Sequence, residues 1–145
     1  MLFERELFTN EEKDSIVTAI GEAEAMTSGE IRLHMEAGCK KDPVERAIEV
    51  FYELKMDSTK ESNGVLIYLA YKDHKFAIIG DKGINAVVPA NFWDGIKEAM
   101  REHFIKGEFY QGILFAVKET GNQLKHYFPV SDSDLNELSN DISHG

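Results

Sequence analysis

Six oxygen-bearing side chains in four short stretches have the chemistry to hold a hard cation: Glu30, then Asp57, Glu61 and Asn63, then Asp81, then Asp94. Calcium takes roughly six to eight oxygen ligands, carboxylates and carbonyls commonly supplied by separate loops. Carboxylates crowded together without a cation repel, and each raises the pKa of the next. Asp81 lies in Gly80-Asp81-Lys82-Gly83. Glycines allow tight, positive-φ geometry that turns backbone carbonyls towards a ligand. Asp81 is therefore the expected centre of a divalent-cation site. Loop-borne, irregular oxygen ligands favour calcium, with magnesium or another divalent ion as the substitute. The plainer reading is that these acids are solvated loop residues and helix caps, and the glycines an ordinary turn.

Other chemistries fail on spacing. Cys39 and Arg46 approach a phosphate-cradling Cys-x5-Arg loop, but position 45 is Glu45. Cys39 then reads as a small loop residue. Asp57-x-Thr59-x-Glu61 and Asp132-x-Asp134-x-Asn136 each resemble half an EF-hand loop. Both lack glycine at loop position six and glutamate at twelve. His34, His74, His103, His126 and His144 have no zinc-ligand spacing and read as lone surface histidines. Lys82 between two glycines is not a P-loop, and no Ser-His-Asp set is recognisable.

The elements that must position Asp81 follow from periodicity. Thr9-Asn10-Glu11-Glu12 is a capping box opening a helix with Ile16, Val17, Ile20 and Ala23 on its apolar face. Thr27-Ser28-Gly29 stops it. From Glu30 to Ala37 apolar residues alternate with polar ones, as in a half-buried strand. Asp42-Pro43 caps a second helix, with Val44, Ala47, Ile48 and Phe51 as its apolar face. A polar loop, residues 57–64, leads to the nearly unbroken apolar run Val65–Tyr71, a strand covered on both faces. Lys72–Lys75 is short enough for a hairpin turn, and Phe76–Ile79 is the returning strand. Trp93, Ile96, Met100 and Phe104 mark a third helix that ends at Gly107, and Phe109 to Tyr127 a fourth.

This order predicts a three-layer α/β/α sandwich, a mixed central sheet of three to four strands flanked by about four helices. The first two strands should be parallel and the third antiparallel to the second. Asp81 should then lie near Glu30 and near Glu61, Ser62 and Asn63, with the loop to Asp94 leaving from the same end of the sheet. Cys39 falls at the opposite end. The predicted core comprises Ile31, Leu33, Phe51, Val65, Ile67, Leu69, Ile78, Trp93, Ile96, Phe104, Ile113 and Val117. Residues 1–129 form a single domain and 130–145 an acidic tail expected to be mobile.

Composition bounds the function. An apolar fraction of 43% over 145 residues is too high for a disordered chain. A net charge of −10 disfavours nucleic acid and suits cations or basic partners. One cysteine excludes an internal disulfide. With no apolar run of signal-peptide length and no membrane span, the expected setting is soluble and cytoplasmic.

Several stretches also resemble the TPM domain family, the TPM phosphatase or repair-domain family. They are Thr27-Ser-Gly-Glu-Ile-Arg-Leu, Asn63-Gly-Val-Leu-Ile-Tyr-Leu, Phe76-Ala-Ile-Ile-Gly-Asp-Lys-Gly-Ile and Phe104-Ile-Lys-Gly-Glu-Phe-Tyr-Gln-Gly-Ile. The ending Gly121-Asn-Gln-Leu-Lys-His-Tyr-Phe-Pro129 is similar to a stand-alone soluble bacterial branch. The resemblance spans roughly residues 8–129. It implies an α/β/α sandwich, association with divalent cations, calcium in particular, and acid phosphatase activity in some members. Other members act in photosystem repair or as membrane-bound receptor modulators, and many carry a signal peptide and a C-terminal membrane helix or Gly-rich tail. None of those additions is visible here. Two functions follow. The first is a calcium-binding regulatory or interaction module, whose acidic loops are ordered by metal and seen by an unidentified protein partner. The second is a metal-dependent acid phosphatase acting on phosphomonoesters. There the cation would activate water, Asp81 or Asp94 would act as base, and Lys82 would steady the phosphate.

Overall fold

The computed structural model describes residues 7–130 and 141–145. Helix α1 (Asn10–Glu24) begins at the reciprocal cap the sequence supplies. The Glu12 N–H donates to Thr9 Oγ1 at 3.0 Å, and the Thr9 N–H donates to Glu12 Oε1 at 2.9 Å. Strand β1 (Glu30–Glu36), helix α2 (Pro43–Glu53), strand β2 (Gly64–Ala70) and strand β3 (Lys75–Gly80) follow. Next come the one-turn helix α3 (Lys82–Asn85), helices α4 (Asp94–Ile105) and α5 (Phe109–Tyr127), and the two-residue strand β4 (Ser143–His144).

The strand order is β3-β2-β1-β4. β1 and β2 are parallel, with Glu30 opposite Gly64 and Glu36 opposite Ala70. β3 is antiparallel to β2, with Gly80 opposite Val65. The starts of β1 and β2 and the end of β3 therefore share one end of the sheet, as the sequence predicts.

Two layers of helices cover the sheet. Ile31, Leu33, Val65, Ile67, Leu69 and Ile78 pack with Ile16, Ile20, Ile96, Met100, Ile113 and Val117 from α1, α4 and α5. Leu66, Tyr68, Ala70 and Ala77 pack with Ala47, Val50 and Phe51 from α2. Every residue of β2 is buried. Sheathing on both faces is why its sequence is an unbroken apolar run rather than an alternating one.

Several local expectations change. In α2 the buried stripe is Ala47, Val50 and Phe51, while Val44 and Ile48 are 41% and 43% exposed. Val50 and Phe51 pull the helix round so that the 47/50/51 face meets the sheet, and the Val44 side turns outward. Residues 82–85, read as loop, form α3. Gly80 and Gly83 do not take positive φ; among the described glycines only Gly107 does, at 77° where α4 ends. Gly83 is needed for closeness instead. A Cβ there would lie 2.3 Å from the Glu61 carbonyl oxygen and 2.5 Å from that of Ser62. Of the tail expected to be mobile, residues 131–140 lie outside the described residues. Ser143 and His144 add β4 beside His34 and Met35 of β1.

Candidate functional site

Asp81 sits where β3 ends. Its N–H donates to the Gly64 carbonyl at 2.9 Å, one last rung of the ladder with β2. The chain then turns into α3, and Asp81 caps that turn: the Lys82 N–H donates to Asp81 Oδ1 at 2.7 Å. The residue is only 7% exposed, and Oδ2 is buried with no hydrogen-bond donor among the described residues. A carboxylate carries four lone-pair directions, so a half-satisfied buried one is costly unless an ion or a water completes it.

The loop before β2 closes against this segment. The Gly83 N–H donates to the Ser62 carbonyl at 2.8 Å. Asn63 is 1% exposed; its N–H donates to Thr59 Oγ1, and its Nδ2 to Ser28 Oγ and to Glu61 Oε2, each at 3.2 Å. Ser28 Oγ also donates to Glu61 Oε2 at 2.5 Å. Side-chain and carbonyl oxygens from the β1 approach, the β2 approach and the β3 exit thus gather at one end of the sheet. The set contains Asp81, Glu61 and Asn63 from the sequence-predicted group, with Ser28 added.

The other three predicted residues stand differently. Glu30 is 3% exposed at the start of β1, with its carboxyl turned to Glu24. Asp57 is exposed in a 3-10 turn, Met56–Ser58, at the far end of the polar loop. Asp94 is exposed in the first turn of α4, its N–H bonded to the Asn91 carbonyl. Trp93 is the residue of that segment that reaches β3: a Cβ on Gly80 would lie 3.0 Å from its Cζ2. Among the described residues no three His, Cys, Asp or Glu side chains converge as a metal-binding group. A cation here would therefore draw on Asn63, hydroxyl and carbonyl oxygens beside Asp81 and Glu61.

Comparison with other proteins settles the family. The TPM domain sequence profile matches residues 3–123. This chain belongs to the TPM domain family. The BA42 protein of the psychrophilic bacterium Bizionia argentinensis, solved by NMR, is 48% identical over 100% of both chains, with a TM-score of 0.92. The N-terminal domain of the cg2496 protein from Corynebacterium glutamicum shares the fold, at 14% identity and a TM-score of 0.66 over 88% of this chain and 80% of that one. No curated protein matches significantly. Among the described residues no helix of this TPM domain is long and apolar enough to cross a membrane.

The TPM domain carries two buried ionisable clusters that motif spacing did not reveal. The first joins the end of α1 to the start of β1. The Ile31 N–H donates to Glu24 Oε2 at 2.8 Å, while Glu24 Oε1 is buried without a donor among the described residues. Burial pushes the Glu24 carboxyl well above the ordinary glutamate range; the Ile31 N–H offsets part of this, and the Glu30 carboxyl adds to it. The second cluster lies under α2. Glu36 accepts from Arg46 Nε at 2.8 Å and Nη2 at 3.0 Å, and from the Tyr68 hydroxyl at 2.5 Å. His34 Nε2 lies 3.2 Å from Glu36, and its ring stacks on Tyr68. The Arg46 guanidinium holds Glu36 down to about 2 against the cost of burial. Burial lowers His34, with Glu36 opposing. His34, read as a surface histidine, is 4% exposed: Tyr68 stacks on its ring, Glu36 meets Nε2, and Ser143 Oγ of β4 lies 3.2 Å from Nδ1. The signal was available: a parallel neighbour as apolar as β2 means both sheet faces are covered, so polar residues of β1 must find partners.

Proposed function

We propose that this TPM domain is a divalent-cation-binding module, with calcium as the favoured ion and Asp81 as its central ligand. The observation that carries it is the Asp81 carboxylate, 7% exposed, with one oxygen bonded to Lys82 N–H and the other lacking any described donor. Family membership supports the same ion. Glu61, Asn63 and the carbonyls of residues 61–62 would complete its coordination. A cation shared by the two loops would neutralise buried negative charge and bind the loops to each other. It would leave the distant core unchanged. Residues 57–63 and 81–94 would then present one ordered surface to a protein partner.

Titration calorimetry of the metal-free chain with calcium, together with melting curves, tests this. Calcium should bind saturably and raise the melting temperature. A parallel assay on p-nitrophenyl phosphate, with and without calcium, should show no metal-dependent hydrolysis. Turnover that appears with the ion would favour the phosphatase, and absence of any bound calcium would remove both.

A further inference from the structure

A cavity of about 380 Å3 opens beside Asp81, between α2, the end of β3 and Trp93. Its apolar wall includes Ile48, Phe51, Tyr52 and Trp93. Ile48 and Tyr52 are 43% and 59% exposed, large apolar side chains on the flank of α2 that the sheet does not use. Polar character comes from Asp81, Lys82 and Asn85. The Asn85 Nδ2 donates to the Gly80 carbonyl at 3.1 Å, which fixes that residue at the cavity. Small-molecule sites commonly have this form: a few hundred Å3, mainly apolar, with a small number of polar groups that fix orientation.

The charges select the ligand. Asp81 and Lys82 are adjacent, with Cα atoms about 3.8 Å apart, and neither forms an ion pair among the described residues. A simple anion would meet the Asp81 carboxylate, and a metal ion on Asp81 would leave the apolar wall and the Lys82 ammonium unused. A small zwitterion with an apolar body satisfies both and fills the aromatic wall. We propose that this cavity binds a free α-amino acid with an apolar side chain. Asp81 takes its ammonium, Lys82 its carboxylate, and Tyr52 and Trp93 flank its side chain. Calcium and the amino acid would share Asp81 and so compete, but neither requires the other.

The test is an NMR titration of the 15N-labelled chain in calcium-free, chelator-containing buffer. Three probes are compared: L-phenylalanine, N-acetyl-L-phenylalanine, which lacks the ammonium, and L-phenylalaninamide, which lacks the carboxylate. L-Phenylalanine should shift the amides of Gly80, Lys82 and Asn85 and the Trp93 indole saturably, with Kd on the order of 10−3 M, reasonable for so small a ligand. The acetylated probe should bind at least tenfold more weakly, and the amide more weakly than the free acid. Asp81→Asn should weaken L-phenylalanine at least tenfold. Tyr52→Ala, at a largely exposed position, should weaken it with the fold unchanged. Equal binding of the acetylated probe, shifts that map elsewhere, or no saturable shift by about 20 mM would overturn the proposal. A chain that binds calcium and not phenylalanine refutes this site alone; the converse refutes only the calcium site.

Discussion

Replacing Gly83 by alanine probes the contact that joins the two loops. A Cβ at that position would stand 2.3 Å from the Glu61 carbonyl oxygen and 2.5 Å from that of Ser62. Ordinary carbon–oxygen contacts begin near about 3.3 Å, so one backbone must retreat by about 1 Å. The atoms in the way are main chain, which cannot swing aside like the tip of a side chain. Retreat stretches the 2.8 Å bond from the Gly83 N–H to the Ser62 carbonyl. Losing a bond of that kind and stranding its donor costs about 1–3 kcal/mol. Alanine returns up to ~1 kcal/mol through helix propensity, although α3 is too short to realise all of it. The net loss should be about 2 kcal/mol, a fall of roughly 4–8 °C in Tm for a domain of this size. Gly95→Ala is the matched control. Nothing lies within 4 Å of its added methyl, and the site is in α4, so it should gain up to ~1 kcal/mol. Thermal unfolding followed by circular dichroism reads both, and amide exchange should speed up in residues 59–63 and 81–85 of the first variant alone. A Gly83→Ala protein that melts within about 1 °C of the wild type would refute the close approach of the two loops.

Glu24→Gln should flatten the alkaline side of the stability curve. The folded chain keeps the Glu24 proton above pH 4.5, where an unfolded glutamate releases it. The folded state then binds more protons, so stability falls as pH rises above that value. The variant should therefore gain at least about 1 kcal/mol relative to wild type between pH 5 and pH 8, measured from urea midpoints; an identical pH dependence would contradict this. Arg46→Ala strips Glu36 of its two strongest donors and leaves its carboxylate buried. It should cost about 3 kcal/mol near neutral pH, and a loss under ~1 kcal/mol would show that the cluster rearranges. Leu69→Ala near the end of β2, 0% exposed, should cost about 2–5 kcal/mol, checked by denaturant unfolding; a loss below roughly 1 kcal/mol would deny β2 a central place.

The sheet was legible because the period-two pattern of β1, the unbroken run in β2 and the four-residue turn to β3 leave little freedom in strand order, although β1 is buried on both faces and not half-buried as its alternation suggests. That order alone places Asp81 beside Gly64. Short-range geometry was less legible. Asp81 caps a helix of one turn, and no periodicity survives over Lys82–Asn85. Gly83 reads as a positive-φ turn residue but is needed for a close contact, a distinction that depends on Glu61 and Ser62, which are some twenty positions away in the chain. Asp94 drew notice as a second acid, whereas Trp93 is the side chain that packs on Gly80. The Glu36–Arg46–Tyr68 cluster joins residues on two strands and a helix, so no linear spacing encodes it. Pairing of Ser143 with His34 is equally non-local, and Ser-His carries no strand signal.

The most direct test of the central claim is a calcium titration of 15N-labelled wild type and Asp81→Asn. Asparagine is as good a helix cap as aspartate, so the substitution keeps the α3 turn while it removes the charge and replaces one acceptor oxygen by an NH2 donor. Calcium should move amides in residues 57–63 and 81–94 saturably in the wild type. The variant should need at least ten times as much ion, about 1.4 kcal/mol. Wild-type spectra with no calcium-dependent shifts in those two loops, or equal shifts at equal concentration in Asp81→Asn, would contradict a cation site centred on Asp81.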